Sequence, residues 1–189
     1  GLFIILPDGD DGWYLNSPLR KQDVYETYLE EVLAIVSEQY ELPTSQKQWA
    51  IAGWSMGGFG CVRFAERHPD RFAAVSSIIG LLDFPRSGLP EGQSYKVPVD
   101  RFGSDEAVWK QFNPINDAEK LKGTSVLIIT ADKAFDRTMN AHFRDELIAL
   151  EIPHQYVELK GGHTFPVVRA AIPLVLAHTQ RVLLRKTRK

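Results

Sequence analysis

Gly53-Trp54-Ser55-Met56-Gly57, set inside the run from Ala52 to Gly58, decides how this chain is read. It follows the short apolar run Trp49-Ala50-Ile51-Ala52 and precedes a helical segment over residues 59–68. A serine with glycine two positions to either side, between a strand and a helix, is the G-x-S-x-G nucleophile elbow, whose sharp turn pushes the hydroxyl into the open. Such a turn predicts that a Cβ at either flanking glycine would strike the neighbouring strand or helix. The pentapeptide alone also fits an ordinary small-residue turn. A hydrolytic reading therefore needs a base, an acid and oxyanion donors from the rest of the chain.

Working outward, short apolar runs recur at residues 2–6, 48–53, 72–79, 125–130 and 155–159, and each reads as a buried strand. Between them lie amphipathic helical patterns. Asp23 with Glu26 three residues on reads as a capping box ahead of Tyr25, Tyr28, Leu29, Val32 and Val36 at helical spacing. Met139, Phe143, Leu147 and Leu150 form one face of a helix from about Arg137, and a last helix carries Pro166 near its start and Pro173 within it. Residues 80–123 are irregular, with Pro85, Pro90, Pro98 and Pro114 and one short helical candidate at 105–111, which reads as a functional loop or lid. Strands alternating with helices predict an α/β fold, a mostly parallel sheet covered on both faces in a three-layer sandwich. In such sheets the loops after the strands gather on one edge, where ligands bind. Ser55, the loop after Thr130 and His163 all fall on that edge.

Size and composition narrow the classes. At 189 residues, 44% hydrophobic and 24% charged, the chain fits one globular domain spanning 1–189. A net charge of −2 gives no reason to expect nucleic acid as a partner. The basic run Arg185-Lys186-Thr187-Arg188-Lys189 reads as a solvated helix end. No apolar run approaches the ~20 residues of a bilayer span. The single cysteine, Cys61, excludes an intramolecular disulfide and a multi-cysteine metal site, and reads as a small buried residue. No metal or cofactor is implied; a homo-oligomer remains open. The chain opens on an apolar strand pattern, as if entered in mid-fold, so compartment stays open too.

A serine hydroxyl needs an adjacent base, usually an imidazole. Of the five histidines, His68 precedes Pro69 at a helix end, His142 and His178 sit within helices, and His154 begins a strand. His163 alone lies in a glycine-flanked loop after the last strand, and it completes the chain order Ser…Asp…His. The acid that fixes the imidazole tautomer belongs on the loop after Thr130, which offers Asp132 and Asp136. Asp136 stands just before a helix, where its simplest job is the N-cap, so Asp132 is preferred and Asp136 is the alternative.

Together these pieces resemble the esterase D-type branch of the α/β-hydrolases, which includes S-formylglutathione hydrolases, tributyrin-type carboxylesterases, feruloyl esterases and mycolyltransferases. The resemblance rests on Leu6-Pro7-Asp8-Gly9 with Trp13-Tyr14-Leu15-Asn16-Ser17, the elbow, Arg101-Phe102-Gly103-Ser104 with Asn113-Pro114, and Gly161-Gly162-His163. Trp54 before the serine is similar to the carboxylesterase members. The acid loop departs from the family's Gly-x-x-Asp, reading Ile129-Thr130-Ala131-Asp132. The resemblance implies ester hydrolysis by Ser55, His163 and Asp132 on a small-molecule ester, with the Met56 amide as one oxyanion donor. Acyl transfer by the same residues and a non-catalytic hydrolase-like domain are the alternatives. Trp13, Tyr14 and Trp54 are candidates for the substrate pocket, and plain packing is the competing role for each. The family places a further strand, whose loop supplies a second oxyanion donor, between the strand matching residues 2–6 and the one bearing Ser55. The resemblance therefore implies that this chain is the C-terminal part of a longer protein. Direct pairing of residues 2–6 with 48–54 would contradict that expectation.

Overall fold

The computed structural model describes residues 1–43, 45, 48–89, 93 and 95–184; the basic run at 185–189 and Pro90 lie outside the described residues. Four strands, β1 (Ala50–Trp54), β2 (Ala74–Ile78), β3 (Ser125–Ala131) and β4 (His154–Leu159), form a parallel sheet in the order β1-β2-β3-β4. The register pairs Trp54 with Ile78, Ile78 with Ile129, and Ala131 with Leu159, so the loops that follow the strands share one edge.

The period-two alternation of a strand explains both faces. Val75, Val126 and Ile128 point to one face, where they meet α1 (Tyr25–Gln39), α2 (Met56–Arg67) and α5 (Arg137–Ala149) through Leu29, Val62, Phe64, Phe143 and Leu147. Leu127 and Ile129 point to the other, against Val167, Val168, Ala171 and Val175 of α6 (Phe165–Leu184). The expected three layers are present. The segment between β2 and β3 holds α3 (Val99–Phe102), α4 (Glu106–Trp109) and a 3-10 helix (Pro114–Leu121). It carries its own apolar cluster, in which Leu81, Phe84, Phe102 and Phe112 enclose Trp13, Leu15, Phe59 and Met139. Arg101 anchors this excursion to the N-terminal loop by a hydrogen bond to Asp23 (2.6 Å) and a contact with Asp11.

Several expectations change. Residues 2–6 form no strand: they carry no ladder bonds to β1, and Phe3, Ile4 and Leu6 are exposed. A short apolar run has strand character only when a neighbour pairs with its backbone. Asp23 is not a cap, because its carboxylate goes to Arg101 and α1 begins after Val24 without a side-chain cap. The elbow helix starts at Met56, directly after the serine, rather than at residue 59. At 20 residues and mean hydropathy 1.3, α6 is long and apolar enough to cross a bilayer by length and composition alone, a test that the core helix of a soluble protein also passes, and Arg169, His178, Gln180 and Arg181 interrupt it. In this fold one face of α6 packs on the sheet, while Phe165, Ile172 and Leu176 are exposed.

His178 of α6 is buried between Ser76 and Ser125, with both ring nitrogens 2.9 Å from a hydroxyl. Burial, and secondarily the charge of Arg181, pushes its pKa down to about 4. The unfolded chain then binds a proton at His178 near pH 6.5 that the native state refuses until about pH 4. Its contribution is complete above pH 6.5 and falls through that window, by at most about 3 kcal/mol. Denaturant unfolding should show a steeper stability loss between pH 6.5 and 4.5 for wild type than for His178→Gln. Equal slopes would remove His178 as the cause.

Candidate active site

Ser55 occupies the turn between β1 and α2 with φ 55° and ψ −120°, a left-handed conformation that costs a non-glycine residue about 1–3 kcal/mol. Its amide donates to the Ile78 carbonyl at 2.9 Å and its carbonyl accepts from Phe59 at 3.0 Å, so strand and helix hold the strained turn from both sides. The flanking glycines are not equivalent. A Cβ on Gly53 would lie 2.0 Å from the Gly57 carbonyl oxygen, which forbids any side chain there. A Cβ on Gly57 would meet only a Tyr14 ring carbon at 3.9 Å, an ordinary contact. The second close approach belongs instead to Gly58, whose Cβ would fall 2.8 Å from Gly80 Cα.

The Ser55 hydroxyl lies 2.7 Å from His163 Nε2, and His163 Nδ1 lies 2.7 Å from Asp136 Oδ1. A carboxylate only accepts, so Nδ1 carries the proton and the Nε2 lone pair faces the serine hydroxyl. The carboxylate against the imidazole is thus that of Asp136, the alternative read from the sequence, and not that of the preferred Asp132. Asp132 Oδ1 accepts from the Gly161 amide and Oδ2 from Lys160 Nζ, each at 2.9 Å. The Gly161 amide, with Lys160 beside it, holds this carboxyl below the usual range. Asp132 thus fastens the loop that carries His163, while Asp136 meets the imidazole.

Asp136 is fully buried, and every contact to its carboxylate comes from a donor. Oδ2 accepts from Thr130 Oγ1 and Asn140 Nδ2, both at 2.9 Å, leaving Oδ1 for the imidazole. The Asn140 amide also donates to the carbonyls of Gly80 (2.7 Å) and Asp136 (2.9 Å), tying the loops after β2 and β3 together. Asp136 does precede α5, but its side chain makes no capping bond. Sequence reasoning missed Thr130 and Asn140. Both are polar positions inside otherwise apolar patterns, the next-to-last residue of β3 and the residue one helical turn after Asp136, and that was the available signal.

The three pocket candidates separate. Trp13 is buried among Phe59, Phe84 and Phe102, with ring centroids 5.2–5.3 Å away, so packing is its role. Tyr14 packs beneath the start of α2, where a Cβ on Gly60 would meet its ring at 2.6 Å. Trp54 is 44% exposed beside the serine and touches Phe165, two residues beyond His163, at 4.9 Å. Met56 opens α2, so its amide sits at the positive end of a helix next to the hydroxyl.

The family model described as "Putative esterase" matches residues 2–173. An esterase of Mycobacterium tuberculosis is 26% identical over 195 residues, covering 87% of this chain and 42% of the relative; the chain thus spans less than half of that protein. Among solved structures, a ferulic acid esterase superposes with a TM-score of 0.75 at 21% identity over 90% of this chain and 64% of the other. A fluorophosphonate-binding serine hydrolase of Staphylococcus aureus gives 0.77 at 22%, covering 92% and 69%. At these identities the two structures establish the α/β-hydrolase fold.

Proposed function

The chain belongs to the putative esterase family, and from that premise we propose that it is a serine hydrolase of carboxylic esters acting through Ser55, His163 and Asp136. The observation that carries the proposal is the continuous chain of contacts from the Ser55 hydroxyl through both ring nitrogens to Asp136, at 2.7 Å each. A base within this distance of a hydroxyl meets the geometric requirement for general-base activation.

The steps follow from the proton positions. Ser55 Oγ attacks the ester carbonyl as its proton passes to His163 Nε2. The resulting imidazolium is stabilised through Nδ1–H by the Asp136 carboxylate. The Met56 amide donates to the tetrahedral oxyanion, aided by the α2 dipole. His163 returns the proton to the leaving alcohol as the carbon–oxygen bond breaks. Water then repeats the sequence on the acyl-enzyme, releasing acid and free Ser55. Trp54 and Phe165, in contact with each other and exposed, are the surfaces we assign to the ester's apolar part.

The test is labelling with a fluorophosphonate, which reports an activated serine. Wild type should label and Ser55→Ala should not. Folded wild-type protein that stays unlabelled and hydrolyses no p-nitrophenyl ester would refute the reading.

A further inference from the structure

Hydrogen bonds fix the edges of the His163 ring, but a ring held at two edges can still tilt about the line joining them. The Phe135 ring stacks on the imidazole face at 4.5 Å between centroids and 23° between planes. Tyr95, from the excursion between β2 and β3, stacks in turn on Phe135 at 5.7 Å and 12°. Tyr95 is itself held edge-on by Phe84 at 5.6 Å and tilted against Trp13 at 5.8 Å. A continuous aromatic column therefore runs from the buried cluster under the excursion to the histidine.

Phe135 is the neighbour of Asp136, so one short segment both hydrogen-bonds the imidazole edge and covers its face. The Tyr95 hydroxyl takes no part in these face-to-face contacts. Tyr95 is 36% exposed, so its ring is only partly covered.

We infer that Phe135 and Tyr95 are positioning residues for His163, so that the docked excursion holds the imidazole in the plane that reaches Ser55. This rests on the proposed ester hydrolysis for its kinetic consequence but not for its structural one. A flat ring offers a second ring oriented contact beyond its area burial, enough to bias a tilt without fixing the fold. Misplacing a base by an ångström costs up to about 10²-fold in rate.

Four single variants and one double variant test this. Phe135→Ala should lower kcat by about tenfold or more with KM within about twofold, whereas Phe135→Tyr, which keeps the ring, should stay within about threefold of wild type. Tyr95→Phe should match wild type. Tyr95→Ala should lose kcat, and the loss should vanish in the Phe135→Ala background, because Tyr95 acts through Phe135. Independently of turnover, the His163 Nδ1–H proton resonance should be sharp in wild type and Phe135→Tyr and broadened in Phe135→Ala. Additive losses, or a resonance equally sharp in Phe135→Ala, would overturn the inference even while Ser55 labels normally. Loss of labelling in wild type with the resonance pattern as expected would instead refute the hydrolase reading and leave the positioning role standing.

Discussion

Asp136→Asn should lower kcat on an ester substrate by about 10⁴-fold, while Asp132→Asn should cost no more than about tenfold. The difference lies in what each carboxylate receives. Asp136 Oδ1 accepts the Nδ1 proton of His163 at 2.7 Å, and its other oxygen is committed to Thr130 and Asn140. Those two donors hold the oxygen of a substituted carboxamide on their own side and turn its NH₂ toward His163. The ring must then present an Nδ1 lone pair and carry its proton on Nε2, where it can no longer take one from Ser55. The imidazolium also loses its counter-charge. Asp132 accepts from the Gly161 amide, which an Asn carbonyl can still do, and the attraction of an exposed Lys160 is screened by solvent. Steady-state kinetics of the two variants, with unfolding curves to establish that both fold, decide the matter. A larger loss in Asp132→Asn would reverse the assignment.

The sequence carried the sheet and the pairing of Ser55 with His163 because each has a local cause. Short apolar runs place β1 to β4 within a residue or two, and the glycine spacing around Ser55 marks the elbow because Gly53 has no room for a Cβ. His163 is isolated by its loop after β4. What could not be read is set by contacts between segments far apart in the chain. Two aspartates four residues apart in one loop are distinguishable only when Thr130 and Asn140 are seen to converge on one of them. Trp13 resembled a pocket residue because its burial depends on Phe84 and Phe102, more than seventy positions away. Residues 2–6 have strand composition, yet pairing is a property of two segments and β1 does not pair with them. Phe135 gave no sequence signal, since a single aromatic in a loop is indistinguishable from core packing until its ring is seen against an imidazole.

Ser55→Ala and His163→Ala should each reduce kcat on an alkyl ester by about 10⁶-fold, and the double variant should lose little more than either alone. Independent contributions would multiply, but here one bond is made by two residues. Without Nε2 as acceptor at 2.7 Å the Ser55 hydroxyl keeps its proton and is a poor nucleophile, and without the hydroxyl the imidazole has nothing to activate. The remaining activity would reflect the Met56 amide and substrate binding, which neither substitution touches. An alkyl leaving group is the right probe, because it requires the proton that His163 returns, whereas a nitrophenolate leaves without it. His163→Ala retaining more than about one part in a hundred of wild-type kcat on the alkyl ester would mean that another group serves as base, and the five-residue elbow around Ser55 would need a different partner.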